Sequence, residues 1–176
     1  MKQSLRKIAR EKRSCLACDV LSQKIKLNLF STDMYKKAKN ILCYYSTGSE
    51  VSTIDFFLDK TKNWYLPRIQ GENLLVCPMQ VGKLIENKYK ILEPETIPVD
   101  DLEIIDLVII PALCADRNGY RIGYGKGYYD RFLRRLPSSC CKIILTYSDL
   151  FYESVCPDEF DEKSDYVITD ESIYKI

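Results

Sequence analysis

The feature that most constrains the fold is the segment IIDLVIIP at residues 104–111, a short run of apolar, mostly β-branched residues that ends at a proline. A run of this length and composition predicts a buried β-strand. Further strand patterns occur at residues 40–46, 63–68, 73–79, 141–147 and 166–169. Helical patterns fall before or between them, at residues 4–16, 20–29, 33–39, 53–61 and 127–136. Strands that alternate with helices pair in parallel, so we predict an α/β fold: a three-layer α/β/α single domain (residues 1–176) with a mostly parallel central sheet.

Charge is unevenly distributed along the chain, although the net charge is only +1. The basic residues concentrate in the first 39 positions, and the acidic residues concentrate after residue 148. In the first helix, Leu5, Ile8, Cys15 and Leu16 fall on one face. Its basic residues fall largely outside that face, and they are Arg6, Lys7, Arg10, Lys12 and Arg13. Two interpretations remain open, namely two solvated surfaces or a cationic and an acidic wall around an anion with its metal.

The sequence also limits where the protein works. No apolar run approaches the roughly 20 residues that a membrane helix needs, and the first 14 residues lack the apolar core of a secretory signal. We therefore expect a cytoplasmic protein without membrane partners. In that compartment disulfides are not expected, and most of the eight cysteines are expected to be small apolar core residues.

The chain contains no histidine. This absence excludes a Ser-His-Asp triad, a Cys-His pair and any metal site with histidine ligands. Acid–base work is left to carboxylates, lysine, tyrosine or the substrate itself.

Four of the seven glycines lie in the segment NGYRIGYGKGYYDRFL at residues 118–133. The segment matches neither the P-loop nor the dinucleotide-binding pattern, because the glycine spacing is wrong for both. Alternating glycines nevertheless allow successive backbone N–H groups to point into one concavity and bind an anion, assisted by the start of the following helix. Arg121 and Lys126 add positive charge, and Asp130 is placed to hold Mg²⁺ against phosphates. The simpler alternative is a glycine-rich turn with solvated charges. In a parallel sheet this segment and the ends of the other strands meet at the carboxyl edge, where ligands bind.

The glycine segment also carries a resemblance to a known family. IIPALCADRNGYRIGYGKGYYDRFL, residues 109–133, resembles the signature of 5-formyltetrahydrofolate cyclo-ligases, also called 5,10-methenyltetrahydrofolate synthetases. Weaker similarities follow in the same order as in the family: KQSLR (2–6), YYSTGSEVST (44–53), WYLPRI (64–69) and DEFDEKSDYVIT (158–169). The resemblance implies ATP- and Mg²⁺-dependent cyclisation of 5-formyltetrahydrofolate to 5,10-methenyltetrahydrofolate, with release of ADP and phosphate. The implied route is phosphorylation of the formyl oxygen followed by attack of N10.

The resemblance also implies roles for individual residues. Arg121 and Lys126 would be catalytic, because they would neutralise charge on the transferring phosphoryl group. The implied ATP-binding residues are Lys2, Arg6, Arg121, Ile122, Gly123, Tyr124, Gly125, Lys126, Gly127, Tyr128 and Tyr129. The implied folate-binding residues are Tyr45, Glu50, Tyr124, Gly125, Lys126, Gly127 and Tyr128, with Arg68 at the rim. The implied Mg²⁺ ligands are Asp130 and Asp165, with Asp161 as a near alternative to Asp165.

Two other classes of function compete with this interpretation. A nucleic-acid-binding module would use the basic first helix, but it would need aromatic residues among the basic ones for base stacking. The first aromatic residue is Phe30, so we expect no nucleic-acid partner. Another ATP-dependent kinase or ligase built on the same loop would need a different acceptor, such as an external hydroxyl. We expect a monomer whose partners are the small molecules ATP and 5-formyltetrahydrofolate.

Overall fold

The computed structural model describes residues 1–87 and 90–176. The helices within these residues are α1 (Lys2–Ser14), α2 (Cys18–Ser31), α3 (Asp33–Lys37) and α4 (Tyr128–Leu133). The strands are β1 (Asn40–Leu42), β2 (Asn63–Gln70), β3 (Asn73–Pro78), β4 (Leu84–Glu86), β5 (Leu92–Pro94), β6 (Leu107–Pro111), β7 (Cys114–Asp116), β8 (Arg121–Ile122), β9 (Cys141–Leu145), β10 (Phe151–Tyr152), β11 (Tyr166–Ile168) and β12 (Ile173–Lys175). Short 3-10 helices occur at Ile54–Leu58, Leu102–Ile104 and Ser148–Leu150.

A seven-stranded sheet in the order β12-β11-β9-β6-β1-β2-β3 organises the molecule. Its five inner strands, from β11 to β2, are parallel to one another. The edge strands β3 and β12 are antiparallel to their neighbours. The predicted mostly parallel sheet is therefore confirmed, and the strong pattern at residues 104–111 supplies β6 at its centre.

Hydrophobic cores cover both faces of the sheet. Alternate residues of β6 point to opposite sides, so that Leu107 and Ile109 enter one core while Val108 and Ile110 enter the other. Helices α1, α2 and α3 cover the first face, and α4 covers the second. The near-continuous apolar character of β6 follows from this double burial. The three-layer α/β/α prediction is confirmed.

Several local predictions differ from the structure. The apolar spacing at residues 53–61 predicts an α-helix, but the segment forms the 3-10 helix Ile54–Leu58. The strand predicted at 40–46 is limited to β1 (Asn40–Leu42). The buried face of α1 is also different, because Ala9 and Arg13 are buried whereas Ile8 and Cys15 are exposed. Arg13 is buried because its guanidinium donates hydrogen bonds to the carbonyls of Ala112 and Leu113 at the end of β6.

Two smaller sheets were not predicted. Strands β4 and β5 form a hairpin that packs against β2, and β10-β7-β8 form a three-stranded sheet beside the glycine segment. Both use strands of only two or three residues, which leave little periodicity to recognise. In the described ranges no helix has the length and apolar character needed to cross a membrane.

Candidate active site

A cavity of about 800 Å³ opens at the carboxyl edge of the parallel strands. The glycine segment, α1, β2, the loop that follows β1, the β4–β5 hairpin and the acidic segment after β10 contribute to its wall. The lining residues are Lys2, Arg6, Tyr44, Tyr45, Thr47, Glu50, Pro67, Ile69, Leu74, Ile91, Leu92, Glu93, Pro111, the continuous run 121–131, Arg134, Asp158, Phe160 and Asp161. This size is typical of a pocket for small-molecule ligands.

Nearly all the residues singled out from the sequence lie around this one cavity. They are Lys2, Arg6, Tyr45, Glu50, the run from Arg121 to Asp130, and Asp161. Asp165 does not line it. Its carboxylate accepts a hydrogen bond from the backbone N–H of Lys142, the second residue of β9, at 2.7 Å, so it lies at the amino edge of the strands. The structure therefore does not bring Asp165 to the cavity and brings Asp161 there instead.

The backbone of the glycine loop, defined here as residues 123–127, is shaped by positive φ angles. Gly125 has φ +95° and Gly127 has φ +66°, both in the left-handed region that favours glycine. Across the described residues, no protein group accepts a hydrogen bond from the backbone N–H groups of residues 123–127. Helix α4 begins at the next residue but has only six residues, so its dipole adds little. Successive unpaired N–H groups in a glycine loop favour anion binding.

Arg121 and Asp130 form an ion pair close to this loop in the sequence and line the same cavity. Arg121 Nη2 lies 2.8 Å from Asp130 Oδ1, and the Arg121 side chain is only 4% exposed. Arg121 Nη1 also donates to the carbonyl of Glu162 at 3.2 Å. The backbone N–H of Glu162 in turn donates to Asp130 Oδ1 at 3.4 Å. Arg121 is therefore held rigidly, with its charge balanced by the aspartate.

Helix α1 brings two further cations to the cavity. Lys2 Nζ pairs with Asp158 at 2.7 Å and also with Asp161. Partial burial alone would lower the pKa of Lys2, but the hydrogen bonds to these two carboxylates raise it overall. Arg6 Nε donates to the carbonyl of Gly123 at 2.9 Å. Lys2 therefore stays charged at neutral pH, and both side chains line the same cavity as the glycine loop.

Glu50 and Tyr124 form a second polar pair in the cavity. The Tyr124 hydroxyl donates to Glu50 Oε1 at 2.6 Å, while the backbone N–H of Thr47 donates to Oε2 at 2.8 Å. Local desolvation of the phenol and the charge of Glu50 raise the pKa of Tyr124. Tyr45 stacks on Phe57 at 5.8 Å between ring centroids. These residues combine aromatic surface with one oriented carboxylate.

Some cavity residues carry no signal in the sequence. Ile91, Leu92 and Glu93 arrive through the β4–β5 hairpin, where Glu93 Oε1 accepts the backbone N–H of Ile69 at 3.0 Å. Arg68, expected at the rim, does not line the cavity but instead donates to the carbonyls of Pro94 and Thr96, which anchors this hairpin to β2. A tertiary contact of this kind leaves no periodicity in the chain.

The metal prediction receives limited support from the geometry. Among residues 1–87 and 90–176, no group of three or more His, Cys, Asp or Glu side chains is arranged to hold a metal ion. Asp130 and Asp161 both line the cavity, but each is already paired with a cation, Arg121 and Lys2 respectively. Any divalent ion would need ligands from a bound molecule as well.

Comparisons with known proteins point to one family. Residues 1–170 match the model of the 5-formyltetrahydrofolate cyclo-ligase family. A 5-formyltetrahydrofolate cyclo-ligase from Mus musculus is 29% identical over 98% of this chain and 91% of its own length. The corresponding protein of Mycoplasma genitalium is 31% identical over 95% of this chain and 96% of its own length. The solved structure of a 5,10-methenyltetrahydrofolate synthetase from Aquifex aeolicus superposes with a TM-score of 0.88 at 31% identity, covering 99% of this chain and 92% of that one.

Proposed function

The chain belongs to the 5-formyltetrahydrofolate cyclo-ligase family, and we propose that it uses ATP to close 5-formyltetrahydrofolate to 5,10-methenyltetrahydrofolate, releasing ADP and phosphate. The whole chain would act as one cyclo-ligase domain. The observation that carries the ATP requirement is the glycine loop, whose five N–H groups lack protein acceptors in the described ranges and lie among Arg6, Arg121 and Lys126 in one cavity.

The glycine loop would bind the phosphates of ATP. Its unpaired N–H groups offer hydrogen bonds to phosphate oxygens, and the glycines at 123, 125 and 127 carry no side chain that would obstruct the approach of the phosphates. Arg121 and Lys126 would neutralise charge on the γ-phosphoryl group as it transfers, which is the main task of a protein in phosphoryl transfer. Arg121 is fixed by Asp130, so this cation is preorganised.

The pterin ring would bind on the side of Glu50 and Tyr45. Glu50 Oε1 is held by Tyr124 and Oε2 by the N–H of Thr47, so the carboxylate has a fixed orientation for ring N–H donors. Apolar side chains of β2 and β3, such as Pro67 and Leu74, line the same cavity and would contact the ring faces. Substrate N–H groups would compete with the Tyr124 hydroxyl for Glu50.

The chemistry requires no protein nucleophile. The formyl oxygen on N5 would attack the γ-phosphorus, forming a P–O bond while the bond to the bridging oxygen of ADP breaks. The lone pair of N10 would then attack the activated formyl carbon. The C–O bond breaks, phosphate leaves with the former formyl oxygen, and the N10 proton passes to the departing phosphate or to water. Because the substrate supplies both nucleophiles, the protein mainly aligns the reactants and balances charge, which agrees with a chain that has no histidine.

We propose Asp130 as one ligand of the Mg²⁺ ion that would accompany ATP. Protein sites for Mg²⁺ commonly use one or two carboxylates and complete the shell with substrate phosphates and water. In the described part of the chain, Asp130 Oδ1 accepts two hydrogen bonds whereas Oδ2 accepts none, so one oxygen remains for a cation. Asp161 is the second candidate because it lines the cavity, which Asp165 does not. The ion would offset negative charge on the phosphates.

One assay tests the proposed activity. Purified protein is mixed with 5-formyltetrahydrofolate, and the near-ultraviolet absorbance of the methenyl product is followed with and without Mg-ATP. We expect the chromophore to form only when ATP and Mg²⁺ are both present, with one ADP released per product. Absence of product under these conditions, or product formation independent of ATP, would contradict the proposal.

A further inference from the structure

Phe160 is an exposed aromatic residue inside the candidate active site. Its side chain is 63% exposed, yet it lines the cavity together with Asp158 and Asp161. An exposed phenyl ring gains nothing from the hydrophobic effect in the free protein. Its position at a ligand cavity indicates that a bound molecule covers it.

The backbone that carries this ring is firmly anchored. The N–H of Phe160 donates to Asp158 Oδ1 at 3.0 Å, and Arg134 Nη2 donates to the carbonyls of Glu159 and Phe160 at 3.3 and 3.0 Å. Arg134 Nε also pairs with Glu162 at 2.7 Å. Phe160 therefore stands on a fixed segment, which makes it a preorganised surface.

The segment 158–162 contacts cations that are proposed to bind phosphate, and not the residues that are proposed to bind the folate. Lys2 pairs with Asp158 and Asp161, and Arg121 donates to the carbonyl of Glu162. The one tyrosine of the glycine loop has a different partner, because the Tyr124 hydroxyl donates to Glu50 at 2.6 Å. The described contacts thus group the segment that carries Phe160 with Lys2, Arg121 and Arg134, and not with Glu50 or Tyr124.

We propose that the ring of Phe160 is the stacking platform for the adenine base of ATP, an inference that rests on the proposed function. In a nucleotide whose phosphates lie on the glycine loop, the ribose separates the base from the phosphates, and the segment that contacts Lys2 and Arg121 offers the exposed ring of Phe160 to that base. The charge of the segment discriminates between ligands, because Asp158, Glu159 and Asp161 would repel the carboxylate tail of a folate. The adenine ring is uncharged and presents a flat π surface suited to an aromatic side chain.

Direct binding measurements test this inference. Calorimetric titrations with ADP and with inorganic tripolyphosphate, both with Mg²⁺, separate the base from the phosphates. We expect Phe160→Ala to weaken ADP binding about tenfold, in line with alanine substitutions of base-stacking aromatics, and to leave tripolyphosphate binding unchanged. Leu58→Ala is the matched control, because Leu58 is 70% exposed and lies outside the cavity lining, and it should alter neither affinity.

A second variant gives an optical readout that does not depend on activity. The natural chain has one tryptophan, Trp64, which is only 7% exposed. Phe160→Trp adds an exposed indole, and we expect ADP but not tripolyphosphate to quench the added fluorescence.

Three results would overturn the stacking role. They are unchanged ADP affinity in Phe160→Ala, equal losses for ADP and tripolyphosphate, or a rise confined to the KM for 5-formyltetrahydrofolate. Failure of the stacking role is distinguishable from failure of the proposed function. If the natural chain forms the methenyl product with Mg-ATP while Phe160→Ala binds ADP normally, only the stacking inference is lost.

Discussion

At the scale of single residues, two cations of the glycine segment differ in what their removal would do. Arg121 is buried and paired with Asp130, so its truncation would leave a partly buried carboxylate without its cationic partner and would affect folding as well as function. Lys126 is exposed, so its side chain adds little to the stability of the fold. Lys126 is therefore the cleaner probe of the phosphate-binding role.

Lys126→Ala should lower kcat about a hundredfold, which is the effect typical of removing one charge-stabilising group from a transition state. Circular dichroism and thermal unfolding should remain as in the natural protein. Lys7→Ala is the control, because that lysine is 79% exposed on the same basic chain terminus and lies outside the cavity. Turnover within a few-fold of the natural protein in Lys126→Ala would remove the catalytic role of this lysine.

Glu50→Gln should raise the KM for 5-formyltetrahydrofolate about tenfold and leave the KM for ATP unchanged. The amide keeps the shape of the side chain but replaces one acceptor oxygen by a donor, which cannot pair with a ring N–H. A charge-assisted hydrogen bond is worth about 1.5–3 kcal/mol, which is consistent with this factor. Steady-state kinetics with each substrate varied in turn give the measurement, and Glu11→Gln, an exposed glutamate on α1, is the matched control. Equal changes in both KM values would place Glu50 outside the folate side.

Some residues of the candidate site could be predicted from the sequence, and others could not. Lys2, Arg6, Glu50 and the glycine segment were identifiable because family motifs carry them. Burial of Arg13 was not predictable, since it depends on carbonyls at the end of β6, about 100 positions along the chain. The acidic run at residues 158–165 predicted carboxylate ligands but not their register, and the fold places Asp161 at the cavity and Asp165 away from it.

At the scale of elements, the sequence predicted correctly those elements whose pattern lies entirely within their own residues. The strand β6 is defined by its own apolar run, and the loop at 123–127 is defined by its own glycines. The 3-10 helix Ile54–Leu58 and the β4–β5 hairpin depend on contacts with neighbouring elements, so local periodicity misjudged the first and missed the second. Within the loop, Gly125 has a positive φ whereas Gly123 does not, so the need for glycine can be tested separately at the two positions.

Gly125→Ala should destabilise the protein by about 1 kcal/mol, because φ is +95° there and an L-residue in that region is strained. Its Cβ would also lie 3.3 Å from the guanidinium of Arg6, so the cavity wall would shift and the KM for ATP would rise. Gly123→Ala is the control, because φ is ordinary there and the added methyl group meets no atom within 4 Å. Urea unfolding gives the stabilities. A destabilisation equal in both variants would mean that loop strain does not depend on the positive φ.

At the scale of the whole molecule, the two ends of the chain meet at the cavity. Lys2 lies 156 and 159 positions from its partners Asp158 and Asp161, so the basic start and the acidic end of the chain form adjoining parts of one wall. The uneven charge distribution is thus explained in part by the site, although Lys7, Arg10 and Lys12 of α1 are exposed to solvent. Because these two segments are distant in sequence, only tertiary contacts hold them together. A ligand that contacts both should therefore raise the free energy of unfolding of the whole protein.

Mg-ADP should therefore stabilise the complete protein and not only the glycine loop. A ligand at about 100 times its Kd contributes about 2.7 kcal/mol, which corresponds to a Tm increase of roughly 5–10 °C for a chain of this size. Hydrogen exchange should slow in α1, in residues 123–127 and in the segment 158–162, while β12, at the far edge of the sheet, should change little. The Lys126→Ala variant should show a smaller Tm increase at the same ADP concentration, because its phosphate site lacks one cation. An unchanged Tm at an ADP concentration that inhibits turnover, or protection confined to β12, would mean that the nucleotide binds outside this cavity.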